Sequence, residues 1–268
     1  MPAKHTVGME QICDDLTAEH LALDEMVGSL SEADWDRGTA APGWSIRDQV
    51  CHLWFFDQRA LLALTDAEAF DIDRQQLMAG GGTALSVQPG RSMPGSELLA
   101  AWRADRSELV RVARSVDPAS RVPWYGPSMG ARSFITARLM ETWAHGYDVA
   151  DALGITPIAT ERLRHVAHIG VRARPFSYAV RGRQVPSVDV TVVLTSPGGQ
   201  SVTWGPGVGD ERVSASMLDF CLVVTQRRHV ADTDLQVVGD AAIEWISIAQ
   251  AFAGEPGAGR KPGQFPRR

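Results

Sequence analysis

Cysteine is scarce: three residues in 268, Cys13, Cys51 and Cys221, odd in number and widely spaced. That argues against a disulfide framework and suits a reducing cytoplasm, where the protein is expected to reside. Lysine is scarcer for its class: only Lys4 and Lys261 stand among 26 basic residues, and arginine supplies the rest. With many alanines and valines, this bias points to a GC-rich genome and is silent about chemistry. No stretch approaches 18 consecutive apolar residues, so no membrane-spanning helix is expected. Met1 to Thr6 lack the apolar region of a secretory signal. A net charge of -6 gives no electrostatic ground for nucleic acid or an anionic membrane as partner. The glycine-rich stretch 79–94 has no Gly-Lys-Ser/Thr step, so it is not a phosphate loop and reads as a flexible connection.

What remains is an ordinary globular composition, 44% hydrophobic and 22% charged, in a chain long enough for one large domain or two small ones. Helical periodicity dominates the first half. Residues 7 to 30 carry Met9, Ile12, Leu16, Leu21, Leu23, Met26 and Leu30 on one stripe. His20 falls in this helix and reads as surface or core filling. Ala41-Pro-Gly-Trp44 is a turn; Ser45 then caps a helix running from Ile46 to about Leu64, with Asp48 as its capping-box partner. A third helix spans about 96 to 116. After a loop, the fourth runs from Ser133 to a stop at Gly154. Four helices with one long crossover read as a four-helix bundle.

Glu141 and His145 are four residues apart on the fourth helix, so their side chains share a face. Alone, such a pair is most often a solvated contact. His52 alters the balance: it sits mid-helix among Val50, Leu53, Phe56 and Leu61 and is expected to point inward. A buried histidine satisfied by a neighbour is the bland alternative. Bundles build metal sites from inward residues on facing helices, and His52, Glu141 and His145 would supply three ligands. Three protein ligands leave one position for water or substrate, the pattern of a catalytic rather than structural zinc. Asp48, one turn before His52, and Asp148, three residues past His145, are the expected orienters of these ligands. Cys51 points about 100° away from His52 and is expected to pack.

The run Trp44-Ser-Ile-Arg-Asp-Gln-Val-Cys-His52-Leu, followed later by Glu141-Thr-Trp-Ala-His145-Gly-Tyr-Asp148, resembles the DinB-like superfamily. More narrowly, it resembles the mycothiol-dependent maleylpyruvate isomerase group of actinobacteria. The resemblance implies that zinc, or another divalent metal, is held by His52, Glu141 and His145. Glutamate rather than histidine in the first place of the pair favours the isomerase-like branch. The specific motifs cover residues 7 to 154; the remainder is similar more loosely.

Beyond Gly154 the pattern changes. A helix is expected over 161–172; its His165 and His168 lack a third ligand candidate and read as structural. Residues 188–195 and 201–204 read as two strands joined by a hairpin, 213–225 as a helix, 235–239 as a strand and 241–252 as a closing helix. Residues 254 to 268 are too rich in glycine and proline to fold alone and read as a frayed tail. The expected class is α+β: a DinB-like metal-binding bundle over 1–155, a smaller α+β domain over 156–254 and a flexible tail over 255–268. The second domain resembles the sterol-carrier-like domain that follows the bundle in the isomerase family. There an arginine after the long helix helps to hold an anionic substrate. Arg227 is the best positional match, with Arg228 next.

The expected function is a metal-dependent enzyme that activates a low-molecular-weight thiol such as mycothiol. The thiol would act on a small electrophile able to carry a carboxylate, by isomerisation or S-transfer. Its expected partners are that thiol and that electrophile, with no nucleic acid and no membrane, and the chain is expected as a monomer or homodimer. The alternative is a non-catalytic metal-binding protein, or a module whose second domain carries a small apolar ligand or lipid.

Overall fold

A computed structural model describes residues 8–265. Val7, the expected start of the first helix, and residues 266–268 of the expected tail lie outside the described residues. The chain forms two compact units, Met1–Pro157 and Ile158–Arg268.

The first unit is built on four long helices: α1 (Met9–Val27), α3 (Ile46–Thr65), α5 (Gly95–Ser115) and α6 (Ala131–Leu153). Two shorter ones, α2 (Glu32–Trp35) and α4 (Ala67–Gly80), join them. Helices α1 and α3 each pack on both α5 and α6, which closes the four into a bundle. Leu23, Val50, Leu53, Leu98, Trp102 and Val149 meet in one buried cluster. Each fully buried aliphatic side chain contributes about 1.5–3 kcal/mol, so the apolar stripes supply the association. Helix α3 begins at the expected cap: the Asp48 amide donates to Ser45 Oγ at 3.3 Å, and the Ser45 amide donates to Asp48 Oδ2 at 3.0 Å. Gly154 ends α6 in the left-handed region at φ 71.

A buried ion pair ties three of these helices together. Asp57 of α3 is fully buried; it accepts from Arg138 Nε and Nη2 of α6 at 3.0 and 2.9 Å and from Trp102 Nε1 of α5 at 2.9 Å. Removing one partner of such a pair would strand a charge at a cost of about 3–5 kcal/mol, so the pair fixes how α3 and α6 register.

Residues 79–94 differ from the flexible connection expected of them. The chain turns at Asp66, whose Oδ1 accepts from the Ala69 amide at 3.0 Å, and enters α4. It continues as two short 3-10 turns, Gly82–Val87 and Pro89–Ser92, lying against α3. Only Phe70 and Leu77 of α4 are buried, so its apolar stripe is too thin to announce a helix. The loop before α6 holds a small antiparallel pair, β1 (Arg121–Val122) and β2 (Met129–Gly130).

In the second unit, α7 (Leu163–Arg172) and α8 (Arg174–Ala179) precede a four-stranded sheet. Its strands are β3 (Thr191–Thr195), β4 (Ser201–Trp204), β5 (Arg212–Ser216) and β6 (Gln236–Val238), in the order β4-β3-β5-β6. β3 and β4 form the expected hairpin, whereas β3 and β5 run parallel. Residues 213–225, read as one helix from sequence, divide into β5 and α9 (Met217–Val224). The break falls at Ser216, whose hydroxyl caps α9 by accepting from the Asp219 amide at 3.0 Å. Val192, Leu194 and Val213 are fully buried on one sheet face. Helix α7 packs on α9, and α10 (Asp240–Ile248) on α8. The segment after α10 has no helix or strand among the described residues and makes contacts back to the unit. Asp232 accepts from the Gly263 amide at 2.8 Å, and the Gly254 carbonyl accepts from Gln250 Nε2 at 3.1 Å. Among the described residues no helix is long and apolar enough to cross a membrane.

Candidate metal centre

His52 of α3 and Glu141 and His145 of α6 converge. One ligand atom from each lies within 4.8 Å of the others. His145 is buried, while His52 and Glu141 are half-buried, so the cluster has an open side. The i,i+4 pair is direct, with His145 Nε2 3.4 Å from Glu141 Oε2. The His52 and His145 rings have centroids 4.5 Å apart.

Both imidazoles are held through their other nitrogen. His145 Nδ1 lies 2.6 Å from Gln49 Oε1. Gln49 Nε2 donates to Thr39 Oγ1 at 2.9 Å, and that hydroxyl donates to the Trp44 carbonyl at 2.9 Å. The chain of bonds orients the Gln49 amide with its oxygen toward the histidine. An amide oxygen only accepts, so His145 Nδ1 is the donor in this bond, and Nε2 is the nitrogen left facing Glu141. His52 Nδ1 lies 2.7 Å from Ser86 Oγ, and Ser86 is fully buried. Ser86 can accept from Nδ1–H, the tautomer that offers Nε2 as ligand.

Ser86 comes from the first of the 3-10 turns, and α3 anchors that strap at two further points. Cys51 Sγ accepts from the Gly90 amide at 3.1 Å and donates to the Ser86 carbonyl at 3.3 Å. Burial pushes the Cys51 thiol up to about 11, in keeping with the packing role expected for it. Arg91 grips Asp48 with Nε at 2.9 Å and Nη2 at 3.3 Å. Gly90 is required here, because a Cβ would lie 2.7 Å from Cys51 Cβ and 2.8 Å from its sulfur.

Aromatic rings wall the cluster. Trp44 packs 5.0 Å from His52 and stacks 6.0 Å from His145. It is delivered by the turn Ala41-Pro-Gly-Trp44, closed by the Trp44 amide on the Ala41 carbonyl at 3.0 Å with Gly43 at φ 76. Proline followed by a positive-φ glycine is the type II pattern. Phe56 meets His52 edge-on at 4.8 Å and is itself backed by Tyr125 and Trp124 at 5.5 and 6.1 Å.

The structure therefore brings together the three residues expected as ligands. It engages Asp48 with Ser45 and Arg91, and the ring partners of the two histidines include Ser86 and Gln49. Asp148 is buried on α6. Arg227 belongs to the second unit, buried after α9, with Nη1 donating to the Thr225 carbonyl at 2.7 Å. The donor set of two imidazoles and a carboxylate fits a divalent cation of zinc's class.

The family model of the mycothiol maleylpyruvate isomerase N-terminal domain matches residues 16–150, half of the chain. Two uncharacterised proteins of Mycobacterium tuberculosis, MT0041 and Rv0036c, are each 43% identical over 256 residues, covering 92% of this chain and 96% of their own length. A crystal structure of the mycothiol-dependent maleylpyruvate isomerase overlays with a TM-score of 0.56 at 16% identity, covering 85% of this chain and 93% of that one. A histidine-to-alanine mutant of that isomerase gives 0.56 at 15% identity. Such low identity speaks for a shared fold alone. The domain match and the close relatives carry the kinship, and by them this chain belongs to the mycothiol maleylpyruvate isomerase-like family.

Proposed function

We propose that His52, Glu141 and His145 hold a divalent cation, zinc by its donor set, and that the protein uses a low-molecular-weight thiol such as mycothiol on a small electrophile. The observation that carries this reading is the convergence of three ligand atoms from two helices within 4.8 Å, with each imidazole fixed through Nδ1. A cation bound there would lower the thiol's pKa, so that thiolate is available near neutral pH. The chain's own groups do the positioning. Gln49 and Ser86 hold the rings in the ligand tautomer, and Asp148 orients from within α6. Trp44 and Phe56 flank His52 and give the bound molecules an apolar wall. Arg227 is assigned to a substrate carboxylate, within a second domain of the sterol-carrier-like kind. The reaction is isomerisation or S-transfer, carried out in the cytoplasm by a monomer or homodimer. Family membership supports the thiol.

Elemental mass spectrometry of the wild type beside His52→Ala tests the reading. Near-stoichiometric metal is expected in the wild type and loss of it in the variant, with mycothiol-dependent turnover following the metal. Equal metal in both proteins, or none in either, would overturn it.

A further inference from the structure

The strap formed by residues 82–92 is tied to one face of α3, and one of its ties ends on a candidate metal ligand. Ser86 Oγ lies 2.7 Å from His52 Nδ1. Cys51 Sγ donates to the Ser86 carbonyl at 3.3 Å and accepts from the Gly90 amide at 3.1 Å. Arg91 holds Asp48 through Nε at 2.9 Å and Nη2 at 3.3 Å. Residues 48, 51 and 52 stand three and four apart, so they present one face of α3 to the strap.

The strap has few apolar anchors. Among the described residues of 82–92 only Ser86, Val87 and Gly90 are buried, and Val87 is the one large apolar side chain of the three. Its two turns are 3-10 turns, whose hydrogen bonds are poorer than those of an α-helix. Gly80-Gly81-Gly82 joins it to α4 and gives the chain freedom to swing. A segment with little buried apolar surface opens locally at low cost while the rest of the molecule stays folded. Docking therefore rests largely on the polar ties to α3, and part of it passes through His52. A bond that orients a ligand ring is worth about 10- to 100-fold in metal affinity. Linkage is reciprocal: whatever the docked strap adds to metal affinity, bound metal adds to docking.

We infer that residues 82–92 are a metal-coupled latch, docked on α3 when the candidate centre is loaded and swinging away from Cys51 and His52 far more often when it is empty. The inference rests on the metal reading above and extends it to regulation: emptying the centre loosens a wall of the site before the bundle itself gives way. Arg91 grips Asp48 rather than a candidate ligand, so it is a positioning residue that sets how tightly the latch shuts.

Hydrogen exchange and cysteine labelling of the full chain, metal-free and with zinc chloride, read the latch. Peptides over 84–92 should exchange about 10- to 100-fold more slowly with zinc. A maleimide should label Cys51 of the metal-free protein ahead of Cys13, which is equally buried on α1 and gauges opening of the bundle. Zinc should suppress the Cys51 labelling. Arg91→Ala should raise that labelling about two- to fivefold in the metal-free protein, with partial recovery in Arg91→Lys. In Ser86→Ala loaded by excess zinc, the slowing of 84–92 should be lost. Zinc that fails to bind the wild type sinks the metal reading and the latch together. Zinc that binds without slowing 84–92, Cys51 labelling that only keeps pace with Cys13, or full slowing in Ser86→Ala sinks the latch alone.

Discussion

At the scale of the residue, each candidate ligand histidine has its second nitrogen against a neutral side chain, Ser86 for His52 and Gln49 for His145. Such partners fix ring orientation, and losing one typically costs 10- to 100-fold in metal affinity. Ser86→Ala and Gln49→Ala are each expected to weaken the metal by about that factor, measured by competition with a chromophoric chelator. Asp48→Ala should cost less metal affinity than Ser86→Ala, because its carboxylate reaches the site only through Arg91 and the strap, and should lower stability by ~1 kcal/mol as the cap of α3 is lost. A larger loss of metal in Asp48→Ala than in Ser86→Ala would reverse the assignment. Asp48 is legible in the sequence both as the capping-box partner of Ser45 and, one turn before His52, as a candidate orienter. Gln49 is legible to the extent that it lies three residues before His52. Ser86 is not: no local rule pairs residues 34 positions apart.

At the scale of the element, α3 and α6 are readable because their signals are local. Ser45 with Asp48 starts one, Gly154 stops the other, and an i,i+4 spacing places Glu141 beside His145 whatever the helix packs against. The strap over α3 is invisible in the sequence for the opposite reason. Its order comes from Cys51, Asp48 and a close approach at Gly90, all contacts with a distant part of the chain. Gly90→Ala is accordingly expected to destabilise the metal-free protein by about 1–3 kcal/mol, as overpacking does. It should also weaken metal binding by shifting Ser86. Urea unfolding and a metal titration measure the two effects, and a variant unchanged in both would show that the strap does not position the site. Residues 213–225 carry the same lesson. Apolar composition suggests a helix, but pairing with β3 draws the first part into a parallel strand, and Ser216 is left to cap α9.

At the scale of the molecule, acid exposes how the bundle is held. His20 of α1 is buried edge-on to Trp102, with ring centroids 5.7 Å apart and Nε2 lacking a hydrogen-bond partner. Burial lowers its pKa to about 4; Asp57 opposes that shift, and Arg106 and Arg138 add to it. The unfolded chain binds this proton near pH 6.5 and the folded chain only near 4. Stability therefore falls as pH drops through that window, by about 3 kcal/mol at the low end. Replacing the histidine by leucine should flatten the slope between pH 6.5 and 5 in urea unfolding of the metal-free protein, above the range where most carboxylates titrate. An unchanged slope would place the acid sensitivity elsewhere.

The sequence by itself determined what short-range geometry and composition can specify. That comprises the helical first half, the α+β class, the caps of α3, the shared face of Glu141 and His145, and the motifs that carry the family. Only the tertiary structure decided which groups hold the two imidazoles, where the chain between α3 and α5 runs, and which strands lie parallel. A helix writes its periodicity into consecutive residues, whereas a hydrogen bond between residues 34 or 96 positions apart exists only once packing has chosen the neighbours.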